Sequence, residues 1–276
     1  MRRVAAVFCT MLLMPALVTA QSAEEYLAIR NRMAPSIMQV FAKSHGLLKH
    51  GTAVALTERL AVTNCHIVGD AASVSVKRGG LLSGARVHAG DTGHDICLLE
   101  LDETVGVPAR TGAAAALSRG ETVYAVGFGM GGRYAISVGE VQALYPYEDG
   151  LIVRTNASFT TGASGGALFD RSGSLVGILT FFRKGAQGVA YFAMPVEWVL
   201  QLRDPTNARV ERSRPPLWSQ AQTEQDWFLR AAGYEIDGQW QELLQAAQQW
   251  MLDQPSNPEA PRARDHALAR LAEPKF

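Results

Sequence analysis

From Ser36 to Met194 the chain is a succession of short apolar runs: SIMQVFA, GTAVAL, LAVTN, ASVSVK, GARVHAG, DICLLEL, ETVYAVGF, ISVGEVQAL, LIVRTNA, ALFD, SLVGILTFF and VAYFAM. They recur at intervals of about eight to fifteen residues, with Gly, Asp and Ser between them, which is strand-and-turn spacing. The gaps leave no room for a helix after each strand. The pattern therefore predicts an all-β sandwich or barrel rather than alternating β and α units. The stretch 103–120, ETVGVPARTGAAAALSRG, is turn-like and predicts a connection between two β halves. After Met194-Pro195 the texture changes. VEWVLQLRD predicts one helix, and residues 204–216, DPTNARVERSRPP, read as a polar, proline-bearing linker. Residues 217–276 are helical in character and rich in Gln and Ala. Within them Trp227, Ala231, Tyr234 and Pro255 follow the spacing of one tetratricopeptide unit, although Arg230 stands where that pattern carries leucine. A single unit cannot bury its own apolar face. It must pack on the β domain, on the final helix 261–272, or on a protein partner. A plain helical tail docked on its own domain is the other reading.

The 276 residues are enough for one large domain or two modest ones. Lys+Arg and Asp+Glu are both 26, so the formal net charge is zero and nothing marks nucleic acid or an anionic membrane as partner. The first residues stand apart. Arg2 and Arg3 precede the apolar run VAAVFCTMLLMPALV, and Val18 and Ala20 supply the small-x-small pattern before Gln21. This predicts a signal peptide over residues 1–20, cleaved after Ala20. The run is short and broken by Pro15, which excludes a comfortable span, and no second membrane segment follows. Phe8 before Cys9 excludes a lipoprotein signal. The expected product is exported, to the periplasm or beyond, and retains two cysteines, Cys65 and Cys97, in an oxidising compartment.

Residues 161–170, TGASGGALFD, surround Ser164 with Gly162, Ala163, Gly165 and Gly166. That run is too flexible for a helix interior and too poor in side chains for a packed strand. It fits a glycine-rich hairpin without chemistry, the G-x-S-x-G elbow of α/β-hydrolases, or the G-x-S-G-G loop of trypsin-like proteases. An elbow runs from strand into helix, with its acid and histidine downstream. Here ALFDRSGSLVGILTFF reads as strand, turn and strand, and the one later histidine is His266, in the tail. The elbow fails on both counts. Upstream, AVTNCHIVGDA places His66 at the end of an apolar strand, and GHDICLLEL places Asp95 at the start of another. Singly these are unremarkable polar residues. In the order His, Asp, Ser, on strand ends, they form a nucleophile, its base and the acid that orients the base.

The segments TNCHIV, DICLLEL, VYAVGFG (123–129), SVGEVQAL (137–144), RTNASFTTGASGGALFD (154–170), SLVGILTFF (174–182) and YFAMP (191–195) resemble a trypsin-like, chymotrypsin-fold serine protease of the bacterial HtrA/DegP type, over Ser36 to Pro195. The resemblance implies a mainly β fold: two six-stranded antiparallel β-barrels with the active site between them, within a protease domain over 21–203, followed by a small helical C-terminal segment. It implies a triad of His66, Asp95 and Ser164, and an oxyanion hole from the N–H groups of Gly162 and Ser164. It places Ser158 at the floor of the specificity pocket, Phe182 on its wall, and Thr180 against the triad aspartate and the substrate backbone, with Phe181 beside it in the substrate-binding strand. The implied activity is cleavage of protein or peptide substrates by an acyl-enzyme route, after small or medium apolar residues, with neither metal nor cofactor. With His66 and Asp95 hydrogen-bonded, Cys65 and Cys97 come near enough for a disulfide; two buried thiols are the alternative. The chain departs from the family in Ala163, where asparagine is common, and in lacking PDZ domains after the protease. The non-enzymatic alternative is an inactive peptide-binding pseudoprotease whose helical tail binds a partner.

Overall fold

The computed structural model describes residues 27–204, 206, 210–211 and 214–273. The expected signal peptide lies outside the described residues. A helical stretch over 27–33 leads into Pro35, and each of the apolar runs then becomes a strand. β1 (Ile37–Ser44), β2 (Leu47–Ala55), β3 (Leu60–Thr63), β4 (Ser73–Arg78), β5 (Leu81–Asp91) and β6 (Ile96–Leu101) form the first barrel, in the order β5-β4-β1-β2-β3-β6 with β5 closing on β6. A single-turn helix, α1 (Cys65–Val68), follows β3. β7 (Thr122–Phe128), β8 (Tyr134–Tyr147), β9 (Gly150–Thr155), β10 (Ala167–Asp170), β11 (Leu175–Gly185) and β12 (Gly188–Pro195) close a second barrel in the order β10-β11-β12-β9-β8-β7. The fold is thus mainly β, with two six-stranded antiparallel barrels.

The near-continuous apolar runs have a structural cause. Successive side chains of a strand point to opposite faces. In the first barrel Ala53, Ala61 and Leu99 fill the interior, while their neighbours Val54, Val62 and Leu98 face the second barrel. Both faces are buried, so AVAL and ICLLEL show little polar alternation. In the second barrel Val123, Ala125, Val153 and Leu168 line the interior, and Tyr124, Val126, Ile152 and Phe169 join the shared cluster.

After β12, α2 (Val196–Arg203) buries Trp198, whose indole N–H donates to Asp149 Oδ1 at 2.9 Å. Within 204–216 a two-residue strand, β13 (Val210–Glu211), pairs parallel to β5 at Gly90 and Asp91, so this part of the segment is bonded to the first barrel. The tail comprises a 3-10 turn at Leu217–Ser219, α3 (Trp227–Asp237), α4 (Trp240–Asp253) and α5 (Glu259–Leu271). Asp226 caps α3 by accepting from the Phe228 N–H, and Gly238 ends it at φ 72°, a left-handed conformation that glycine adopts without strain. Arg230, the departure from the repeat pattern, lies over the Trp227 ring with its guanidinium carbon 4.1 Å from the centroid.

The tail packs on the second barrel. Phe228 stacks on Tyr145 of β8 at 4.9 Å, and Arg183 of β11 donates to Leu229 O and Gln225 Oε1. Arg154 of β9 forms a bidentate pair with Glu235, at 2.7 and 3.0 Å. Burial by itself raises the Glu235 pKa, but the Arg154 hydrogen bonds and charge outweigh it and hold the carboxyl below its usual range. A lowered folded value means stability that is complete above the ordinary carboxylate range and lost as pH falls through that folded value. Glu235→Gln is therefore expected to cost about 2 kcal/mol near neutral pH. Urea midpoints of parent and variant, compared over pH, should converge on the acid side.

Candidate active site

β5 ends at Asp91 and the chain turns through Thr92, Gly93 and His94 before β6 begins. Burial alone would raise the Asp91 carboxyl, but the His94 ring and N–H bonded to it hold it at about 2, which anchors the turn. Asp95 closes the turn at φ +60°, a left-handed conformation that aspartate tolerates better than most residues. This aims its carboxylate at α1. Asp95 is fully buried, and its Oδ1 accepts the His66 backbone N–H at 2.8 Å. Its Oδ2 lies 2.6 Å from His66 Nδ1, which orients the imidazole with Nε2 away from the acid. His66 keeps about a third of its side chain exposed, 32%, so the ring reaches the cleft.

Two neighbours stiffen this pair. Asn64 Nδ2 donates to Asp95 O at 2.8 Å and to Thr180 Oγ1 of β11 at 3.2 Å, crossing from one barrel to the other. Cys65 and Cys97 are joined in a disulfide with Cα atoms 4.9 Å apart and a sequence separation of 32. Closing such a loop stabilises by about 3–4 kcal/mol in the chain-entropy description. Glycine at 90 leaves the space, since a Cβ there would meet Cys97 Sγ at 2.8 Å.

Ser164 lies across the seam, on the loop between β9 and β10. Gly162 (φ +97°) and Gly165 (φ +82°) take conformations that other residues rarely adopt. A Cβ on Gly165 would run into Thr52 O and Thr63 Oγ1, so the loop sits directly on the first barrel. Thr52 holds it there. Its N–H donates to Ser164 O at 2.9 Å, its hydroxyl donates to Gly162 O at 2.8 Å, and the same hydroxyl accepts from Phe128 N at 2.9 Å. Among the described residues, the N–H groups of Gly162 and Ser164 have no protein acceptor. The Ser164 hydroxyl donates to Thr180 O at 3.3 Å rather than to His66. A cavity of about 630 Å³ opens beside the loop, lined among others by Phe41, His50, Phe128, Met130 and Gly162.

The remaining expected residues divide. Phe181 lies on the seam, stacked on Phe192 at 4.5 Å, whereas Phe182 faces Phe159 and Tyr191 inside the second barrel's aromatic cluster. A β-bulge between Leu179 and Phe181 separates the two directions. Ser158 is exposed and pairs with Ser137, Oγ to Oγ at 3.1 Å. Thr180 gives its hydroxyl to Ile178 O at 2.9 Å and not to the carboxylate of Asp95. The third donor to that carboxylate is a residue the sequence did not mark: Trp218 Nε1, 3.1 Å from Oδ2. Thr52 and Asn64 were equally unmarked. The available signal for Trp218 was a large aromatic two residues after Pro215-Pro216, just past a polar segment.

Residues 51–178 match the family model of the trypsin-like peptidase domain. This chain carries a trypsin-like peptidase domain. Several curated relatives are named as serine proteases. A putative serine protease HhoB of Synechocystis is 30% identical over 146 residues, covering 49% of this chain and 35% of the relative. A probable periplasmic serine endoprotease, DegP-like, of Ectopseudomonas mendocina is 32% identical over 155 residues, covering 53% and 32%. The serine endoprotease DegS of Escherichia coli is 29% identical over 199 residues, covering 64% and 56%. The chain spans about a third of the length of the first of these relatives, 35% and 32% for the two named first. Among solved structures, the HtrA-type protease AlgW with tripeptide superposes with TM-score 0.60 at 24% identity, covering 66% of this chain and 63% of that one. The serine endoprotease from Yersinia pestis gives 0.57 at 24%, covering 66% of each. At that identity the likeness establishes the fold.

Within the peptidase domain Thr52 is the test of the seam. Thr52→Val keeps the shape but leaves Gly162 O and Phe128 N without their hydroxyl partner. A loss of about 1–3 kcal/mol is expected, read as a lower urea midpoint with unchanged far-ultraviolet dichroism.

Proposed function

We propose that this chain is an exported serine endopeptidase acting through Ser164, His66 and Asp95. The observation that carries the reading is the buried Asp95 carboxylate bonded to His66 Nδ1 at 2.6 Å, on the same cleft as a serine held by a glycine loop. A serine hydroxyl is a weak nucleophile until a base within reach takes its proton. Rotation about the Ser164 Cα–Cβ bond turns its hydroxyl from Thr180 O towards His66 Nε2; such contacts commonly tighten only when substrate binds. Ser164 Oγ then attacks the scissile carbonyl carbon, and His66 accepts the proton. The N–H groups of Gly162 and Ser164 stabilise the oxyanion, each worth about 3 kcal/mol in the barrier. His66 returns the proton to the leaving amine, and water, activated by the same imidazole, hydrolyses the acyl-enzyme. Asp95 fixes the tautomer and stabilises the imidazolium.

Peptide or protein substrates fit this cleft, and a structural neighbour was solved with a tripeptide. The 630 Å³ cavity beside Gly162 offers room for the leaving-group side of the chain. Export is supported by the basic and apolar start of the sequence and by a relative named as periplasmic. No helix among the described residues is long and apolar enough to cross a membrane.

Incubation with a denatured protein tests the reading. The parent should cleave it, and Ser164→Ala or His66→Ala should lose roughly 10⁶-fold in kcat while staying folded. Cleavage persisting in either variant, or absent from the parent, contradicts it; the second outcome leaves a peptide-binding protein without catalysis.

Specificity follows from the same residues. Ser158 brings no charge to pair a basic side chain, and Phe182 stands on the strand wall where a deep pocket needs glycine. Cleavage-site profiling should show Val, Ala, Ile or Leu before the scissile bond. A profile dominated by Lys or Arg would contradict it.

A further inference from the structure

The segment that leads into the helical tail is fastened to the turn that carries Asp95. β13 runs beside Gly90 and Asp91, Thr92 Oγ1 donates to Arg214 O at 2.7 Å, and Leu217 N donates to Gly93 O at 3.0 Å. The segment thus follows the turn that carries Asp95, bond by bond, and Leu217 is buried at its end. The next residue, Trp218, lies over the seam. Its ring stacks on Phe181, with centroids 5.8 Å apart and planes at 22°, and meets the His66 ring edge-on at 5.6 Å and 85°. Its N–H reaches Asp95 Oδ2 at 3.1 Å.

We propose that Trp218 is a positioning residue for the His66–Asp95 pair, so that the C-terminal segment completes the active site instead of merely following it. The proposal rests on the triad reading above. The fully buried carboxylate receives the His66 N–H on Oδ1 and the His66 ring on Oδ2, and the indole is the third donor. The nearest hydroxyl on β11, that of Thr180, is spent on Ile178 O. An indole N–H donates and cannot accept, and it does not titrate in the working pH range. It therefore favours one carboxylate orientation at every stage of turnover. Two aromatic contacts fix its own direction, so the donor is preorganised rather than recruited. Trp218 touches neither nucleophile nor scissile bond by this geometry; it acts through Asp95.

Trp218→Phe in the full chain keeps an aromatic ring between Phe181 and His66 and deletes the N–H. With a short peptide ester or amide, and concentrations set by active-site titration, kcat per titrated site should fall roughly tenfold or more, with KM unchanged. Equal kcat in parent and variant overturns the proposal, as does a fall in thermal midpoint with kcat per titrated site preserved. A second measurement needs neither a variant nor turnover. In the parent protein the Trp218 indole N–H resonance should shift with pH along the same midpoint as the His66 ring protons. Asp91, His94, Glu148 and Arg214 carry charge or titrate on the adjoining turns, so the shared midpoint is the diagnostic feature. An indole resonance that is flat, or that follows another midpoint, overturns the proposal. A parent that cleaves nothing, indistinguishable from Ser164→Ala, overturns the triad reading instead, and the resonance measurement still decides the role of Trp218.

Discussion

A carboxylate with no exposure to solvent is tolerated only where hydrogen bonds replace the water it has lost. Asp95 is such a group, and much of the molecule is arranged to supply it. Its left-handed backbone at the end of the β5–β6 turn aims it at α1. The His66 N–H and ring reach it from that helix, and the Trp218 indole reaches it from the tail. Its own carbonyl is held by Asn64, which also bonds to β11 of the other barrel. The Cys65–Cys97 disulfide ties together the residues flanking His66 and Asp95 on their two elements. Losing the His66 or the Trp218 donor leaves part of that buried carboxylate unsatisfied, which is far costlier than losing an exposed ion pair.

The Ser164 loop obeys a different constraint, close approach of backbone to backbone. Gly165 has no room for a side chain against Thr52 and Thr63, and Thr52 bonds to Ser164 and Gly162 on one side and to Phe128 on the other. A single buried threonine of the first barrel thereby sets the height at which the second barrel presents its serine. The barrels are not two independent bodies meeting at a wet cleft. They share one apolar cluster, from Val54 and Leu98 on one side to Val126 and Phe169 on the other.

The strands were legible because both faces of most of them are buried, which wrote them into the sequence as unbroken apolar runs such as ICLLEL and LVGIL. The β-bulge at Thr180 was not, and it is what sends Phe181 to the seam and Phe182 into the second barrel. His66, Asp95 and Ser164 were legible by order and setting, since each lies where an apolar strand gives way to polar or glycine-rich residues. Thr52, Asn64 and Trp218 were not. A threonine or an asparagine within a strand end carries no local mark of a partner more than a hundred residues away, as Thr52 has in Gly162 and Asn64 in Thr180. Trp218 comes two residues after a segment, 204–216, whose composition reads as linker, and the pairing of β13 with β5 and the Leu217–Gly93 bond reveal that the chain there is fastened to the turn of Asp95. The tail's resting place on the second barrel was open in the sequence for the same reason. Arg154–Glu235 and Tyr145–Phe228 join positions that no local pattern connects.

What unites these contacts is the claim that Ser164 is an activated nucleophile in the folded protein. Mass spectrometry of the native chain after treatment with a fluorophosphonate measures that directly, because the reagent captures a serine only where a base and an oxyanion site act on it together. The expected result is a single adduct, on the peptide containing Ser164, that is absent when the protein is denatured before treatment. A native protein left unmodified, or modified on a different serine, would contradict it.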